Sequence, residues 1–435
     1  MPSDPIPKPA FSEALRFWIK LGWISFGGPA GQIAIMHKEI VERRRWMSED
    51  HFLHALNFCM LLPGPEAQQL ATYLGWRLHG ARGGIAAGAL FVLPSIFILW
   101  ALSWLYMAGG DVKWVQGLFY GLVPAVIAIV ISAVKRIGTK ALRTPALWAL
   151  AAFSFVAIFY FKVSFVIIIL GAGAIGLIGG KFLPKHFPAS KGHAKAGAEE
   201  EGPVLELPPA PPASFRRSAT VILLCCTLWW LPVLLCGFGL GWKSVQFQEG
   251  IFFSKAALVT FGGAYAVLPY VAQMAVEHFG WLSQQQMIAG LGLAETTPGP
   301  LIMVLQFVGF AAGWQNPENH SPLLAATLGA GITTWVTFLP CFLFVFLGAP
   351  HVEGLRERPA LSTILTAITA AVVGVILNLA IWFAWHALRP APGAFDWFVL
   401  VMAIAALVAM EKFKAGVMPT LTACAALGMV WHFVR

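Results

Sequence analysis

Charge is what this sequence has least of. Only 11% of its 435 residues are Asp, Glu, Lys or Arg, against about 25% in a soluble domain. Hydrophobic residues make up 58%, and the mean hydropathy is +0.74. Too little polar material remains to cover a globule of this size. Cysteine is also sparse, and all six cysteines lie in apolar runs. Cys225-Cys226 has no second pair at zinc spacing, so neither a disulfide framework nor a metal site is indicated. H-E-x-x-H, D-x-D, G-x-S-x-G and nucleotide-binding motifs are missing, which argues against hydrolytic chemistry and ATP drive. No cofactor is implied. Met1–Ala10 is polar and proline-rich, unlike a cleavable signal peptide. What remains is an all-α polytopic membrane protein.

The formal charge of +9 does not point to nucleic acid. The lysines and arginines sit in short loops between apolar runs, which is the positive-inside pattern of a protein whose partner is the lipid bilayer.

The chain is also a duplication. Residues 17–65 and 252–300 align without a gap at an offset of 235, with 13 identities over 49 positions. The identities include Lys20 and Lys255, Gly27-Gly28 and Gly262-Gly263, and Pro63-Gly64-Pro65 and Pro298-Gly299-Pro300. Duplication inside a hydrophobic chain is a signature of transporters. The organisation read from it is a first repeat at 1–180, a linker at 181–217, an extra connecting span at 218–240, and a second repeat at 241–435.

Nine apolar runs, near 83–107, 113–134, 145–161, 163–180, 218–240, 321–348, 361–388, 396–411 and 415–434, read as spans, the shorter ones borrowing flanking residues. The linker mixes charge, glycine and proline and reads as a disordered cytoplasmic tether. The duplicated stretches are different. Gly27-Gly28-Pro29 and Pro63-Gly64-Pro65 interrupt short segments, so each pair is a broken spanning helix or a re-entrant hairpin. With a cytoplasmic linker, hairpins place Lys38, Arg43, Arg44 and Arg45 inside, with Arg77, Arg82, Lys135, Arg136, Lys140 and Arg143. The equivalent stretch of the second copy, Ala272–Gln285, has no lysine or arginine. An even number of spans in the first copy plus one extra span puts the second copy on the opposite face. Arg356, Arg358, Lys412 and Lys414 then fall inside, and the repeats are inverted.

The chemistry-bearing positions follow from this arrangement. Lys20 and Lys255 lie in apolar surroundings, where a charge costs ~2.5–3.5 kcal/mol on insertion scales. Each either snorkels to the interface or, with its twin, faces an anion. Gly27, Gly28, Gly262, Gly263 and the two Pro-Gly-Pro triplets precede new helical segments. Such starts gather free N–H groups and the positive end of the dipole, so they suit an anion or serve only packing. Glu66 and Glu295 flank the triplets and are candidates for proton coupling, with helix capping the plainer role for Glu66. Glu42 and Glu277 read as structural, Glu42 pairing with neighbouring arginines. His37, His51 and His54 read as an ordinary interfacial group. The many Trp and Phe residues read mostly as lipid-facing belt.

At these residues the chain resembles the chromate ion transporter family in its long, two-domain form. The resemblance rests on Ser25-Phe26-Gly27-Gly28-Pro29, the acid-to-tryptophan stretch ending Arg44-Arg45-Trp46, and Leu62-Pro63-Gly64-Pro65-Glu66-Ala67-Gln68-Gln69-Leu70. In the second half it rests on Thr260-Phe261-Gly262-Gly263-Ala264-Tyr265 and Glu295-Thr296-Thr297-Pro298-Gly299-Pro300. The resemblance implies a bacterial inner-membrane carrier exporting chromate, coupled to protons or to sulfate exchange. It also implies homologous halves of opposite orientation and thirteen spans rather than nine spans plus four hairpins. Chromate and sulfate are tetrahedral dianions of similar size, so binding groups alone leave both open. A sulfate carrier and a membrane-embedded enzyme are the alternatives.

Overall fold

The structure, a computed structural model, describes residues 7–110, 112–188, 205, 214–352, 359–390 and 394–434. Nearly all the linker therefore lies outside the described residues, as do Arg356 and Arg358. Among the described residues there are helices and no strand. The first half contains α1 (Phe11–Ile24), α2 (Gly28–His37), α3 (Glu49–Leu61), α4 (Glu66–Ala108), α5 (Lys113–Ala141), α6 (Pro145–Phe159) and α7 (Phe165–Phe182). Helix α8 (Phe215–Gly239) connects it to α9 (Val245–Leu258), α10 (Ala264–Ala272), α11 (Gln284–Thr296), α12 (Val304–Gln315), α13 (Pro322–Gly348), α14 (Pro359–Leu388), α15 (Trp397–Glu411) and α16 (Val417–Val434).

All nine apolar runs are helices. Seven helices, α4, α5, α7, α8, α13, α14 and α16, are long and apolar enough to cross a membrane. Helices α6 and α15 have 15 residues each, short of the ~20 a perpendicular span needs. They do not borrow their flanks. Thr144 and Asp396 cap their starts by accepting from the amides of Leu147 and Val399.

Local chemistry repeats with the sequence. Ser48 and Ser283 cap α3 and α11, and Ser283 forms a full capping box with Gln286. Such a cap stabilises by about 1 kcal/mol. Residues 38–43 and 273–278 both wind into a wider π-helical turn. Equivalent helices then pack equivalently: α16 lies on α5 as α7 lies on α14, and α1 on α4 as α9 on α13.

Helix α4 doubles back. At His79 and Gly80 the backbone leaves helical geometry, with φ +63° at Gly80. The two arms meet through small residues: a Cβ on Gly75 would stand 2.4 Å from the Gly83 carbonyl. In the second half α12 and α13 repeat this hairpin, with Gly313 against Ala325 and Gly309 against Gly329. Close backbone approach of this kind is how membrane helices associate without a hydrophobic driving force between them.

The broken segments are hairpins. Arg44 returns to the start of α1, pairing with Glu13 at 3.2 Å and lying 5.2 Å over the Phe17 ring. The first arm of α4 returns to the same end, where His79 Nε2 lies 2.9 Å from the Pro9 carbonyl. A linker residue is there too: the Leu205 amide donates to the Arg45 carbonyl at 3.1 Å. In the second copy Phe252 packs on Phe279 and Trp281 in the same way. That copy's hairpin base lies elsewhere, with Gln286 Nε2 3.9 Å from Met107 Sδ, at the far end of α4.

The belt reading of the aromatics holds for Phe153, Phe161 and Trp397, which are exposed. It fails for Trp18, Trp46, Trp76, Trp229 and Trp281, which are buried and pack the hairpins and α8.

Candidate functional site

Breaking a helix inside a membrane frees backbone groups that no water can satisfy. In this protein the two repeats satisfy each other. The Gly64 amide donates to the Thr260 carbonyl at 2.7 Å, and the Gly299 amide donates to the Ser25 carbonyl at 2.7 Å. These are the same pair in the two copies, exchanged. Around them, Ser25 Oγ donates to the Leu21 carbonyl and Thr260 Oγ1 to the Ala256 carbonyl, both at 2.6 Å. Gln32 Nε2 donates to the Gly299 carbonyl at 2.5 Å and Gln69 Nε2 to the Pro63 carbonyl at 2.8 Å. Ser95 Oγ donates to the Pro298 carbonyl. Glycine is required at the triplets, because φ is +125° at Gly64 and +106° at Gly299.

Two carboxylates stand at this crossing, each beside the Gly-Gly break of the other copy. Glu295, at the end of α11, accepts from the Tyr265 hydroxyl. With Gly27, Gly28, Ser132, Arg136 and Tyr265 it lines a small cavity of 20 Å³, room for about one water. Glu66, the first residue of α4, lies against the start of α10. A Cβ on Gly263 would stand 3.1 Å from its Oε1, and its Oε2 has no hydrogen-bond partner among the described residues.

Lys20 and Lys255 are exposed on α1 and α9 and line no part of this cavity. Neither is hydrogen-bonded or ion-paired among the described residues. The cation at the cavity is Arg136, which the sequence reading used only as a topology marker. Tyr265 was legible as part of the T-F-G-G-A-Y motif, but its bond to Glu295 joins residues 30 positions apart and needed the tertiary structure.

The secondary candidates resolve plainly. Glu42 pairs with His37, at 3.1 Å, rather than with an arginine. The arginines pair with Glu39 and Glu13, because the π-helical turn carries Glu42 away from them. Glu277 accepts from Trp382 Nε1 at 3.1 Å. Burial pushes the Glu39 carboxyl up. The Arg43 hydrogen bond, with the charges of Arg43, Lys20 and Arg44, outweighs burial and holds it below the ordinary carboxylate value. His37, His51 and His54 each have a separate neighbour, Glu49, Ser48 and Asp50, and no metal-holding group occurs among the described residues.

Duplicated broken helices and a polar crossing inside an apolar bundle are the architecture of a polytopic transporter. The chromate transporter family model matches residues 12–177 and 247–429, leaving out the linker and α8. The chain belongs to that family. It is 30% identical to a probable chromate transport protein of Synechococcus elongatus over 387 residues, covering 88% of each chain. It is 29% identical to the chromate transport protein of Cupriavidus metallidurans, covering 97% of this chain and 93% of the relative. A Pseudomonas aeruginosa chromate transport protein is 32% identical over 86% of this chain and 81% of its own. No solved structure matches.

Proposed function

We propose that this protein is a secondary carrier that exports chromate across the bacterial inner membrane, with the dianion bound between two inverted repeats. Family membership supports the substrate. The single structural observation that carries the site is the reciprocal exchange between Gly64 and Thr260 and between Gly299 and Ser25. It brings the N-terminal ends of α2 and α10 to one region, and such ends attract anions. Inversion is supported by the location of the equivalent hairpin bases. The Arg45 loop lies by the linker residue Leu205, and Gln286 lies by Met107.

The cavity beside Glu295 has room for about one water and none for an oxyanion. Binding requires one repeat to move against the other, as alternating access demands. Lys20 and Lys255, exposed on helices that lead to the breaks, attract the anion and share its neutralisation. Export needs no ATP: a dianion leaving an interior-negative cell gains ~4.6 kcal/mol per 100 mV, from ~2.3 per charge. Protons enter through Glu66 and Glu295. Two ionised carboxylates beside the breaks repel a dianion, so the anion binds with one or both protonated.

The test is counterflow in proteoliposomes with chromate, sulfate, molybdate and phosphate. Chromate exchange is expected. Sulfate exchange without chromate moves the protein to a sulfate carrier, and turnover that requires an added metal moves it to an enzyme.

A further inference from the structure

Glu249 lies in the second turn of α9 and is fully buried. Neither carboxylate oxygen has a hydrogen-bond partner among the described residues. It faces Gly329 of α13, where a Cβ would stand 2.9 and 3.2 Å from its two oxygens. One turn along α13 from Gly329, the Thr333 hydroxyl is also buried and unpartnered. Gln246 Nε2 donates to the Ala325 carbonyl at 3.2 Å, fixing this end of α9 on α13.

No cation among the described residues pairs with Glu249. Helices α12 and α13 carry no ionisable side chain except Cys341. Helix α8 offers the Cys236 thiol, and its Arg216 and Arg217 lie at the opposite end. On α10, Tyr265 is engaged by Glu295 and Tyr270 stacks on Phe165. On α9 itself, Lys255 is exposed and more than one turn away. The equivalent position in the first copy is Ala14, so this acid belongs to one repeat only. An unpaired charge in such a place is prohibitive, and intramembrane acids that persist there mark proton paths.

We propose that Glu249 is a proton-binding site separate from the anion site and carries a proton opposite to the anion. The proposal rests on the reading of this chain as a chromate carrier. Glu249 is on the helix that leads to the break at Thr260, its last residue Leu258 lying nine residues and ~13 Å further on. It lies in the half of the bundle away from the Arg45 loop, because α8 starts with Arg217 5.3 Å over the Trp76 ring, near His79, and its 25 residues rise ~37 Å. In the closed conformation the carboxyl is buried against Gly329 and holds a proton taken from the side away from the linker. When α9 moves with its break to open the centre, the carboxyl meets water and releases that proton as H⁺. Glu66 and Glu295 protonate together with the bound anion, whereas Glu249 is too remote for the anion's charge to decide its proton. Its proton is coupled through helix movement and crosses opposite to the anion.

The experiment uses full-length protein in proteoliposomes, with chromate counterflow at equal pH and, separately, chromate flux driven by a pH gradient at clamped potential. Glu249→Gln is expected to retain counterflow and to lose the oppositely directed proton, so that its response to the gradient differs from wild type and keeps only the part that runs with the anion. Glu249→Asp is expected to retain a response with a shifted pH midpoint. A Glu249→Gln variant that responds as wild type overturns the proposal. Absence of wild-type counterflow would instead overturn the chromate reading. In that case, or if Glu249→Gln fails to fold, infrared spectroscopy decides between the native protein and Glu249→Asp. The carbonyl stretch of a protonated carboxyl should be present at neutral pH and shift in the aspartate variant; an unchanged band overturns the proposal.

Discussion

The Gly64 amide in the first repeat donates to the Thr260 carbonyl in the second, 196 positions away, at 2.7 Å. Its counterpart runs the other way, from Gly299 to Ser25, at the same distance. Each repeat therefore closes the broken helix of the other, and neither crossing is complete in one copy alone.

Gly299→Ala strains that exchange twice. The new Cβ would lie 2.1 Å from Ser95 Oγ, and φ of +106° disfavours any side chain by ~1–3 kcal/mol. A lower melting temperature in detergent and loss of chromate flux are expected. Adding Ser95→Gly removes the clash but not the backbone strain, so rescue should be partial. Wild-type melting and flux in Gly299→Ala would refute the role of the exchange.

Lys20→Gln and Lys255→Gln should each raise the apparent KM for chromate with little change in protein level. If the lysines face one dianion, the double variant departs from additivity. Unchanged KM in both single variants makes them interfacial anchors.

Glu66→Gln and Glu295→Gln should each flatten the rise of chromate counterflow as pH falls. Wild type and variants meet the same ionisation of chromate, so the difference between their profiles isolates the carboxyls. Tyr265→Phe removes the bond to Glu295 and should shift the profile without abolishing exchange. Superimposable profiles for all four proteins would remove the coupling role.

Single cysteines replacing Arg44 and Gln284, in a background lacking the six native cysteines, test the inversion. An impermeant thiol reagent added to whole cells should label Gln284→Cys and not Arg44→Cys. Equal labelling from outside contradicts opposed repeats.

Glu39 gives a pH signature of stability. Its folded carboxyl titrates below the ordinary value through Arg43. Its contribution is therefore complete above the unfolded value and disappears as pH falls through the folded one. Arg43 is largely exposed, so the effect is small, under about 1 kcal/mol. Melting of Glu39→Gln should differ from wild type at neutral pH and converge with it in acid. A constant difference across that range would assign the change to packing.

The sequence by itself determined the membrane class, the duplication and the place of every break. Hydrophobic length, Gly-Gly and Pro-Gly-Pro are local signals that a single chain carries openly. The charge contrast between residues 37–50 and 272–285 is the sequence's own argument for opposed repeats. Tertiary structure alone decided that the broken segments are hairpins, because Arg44 with Glu13 and His79 with Pro9 are contacts across turns. It also decided which polar groups share the centre: Arg136 with Glu295 and Tyr265, and Glu66 with Gly263. Glu249 was invisible in sequence, since one acid in a 14-residue helix resembles any interfacial glutamate. Its meaning comes from burial against Gly329 without a partner, and burial is a property of packed helices rather than of residue order.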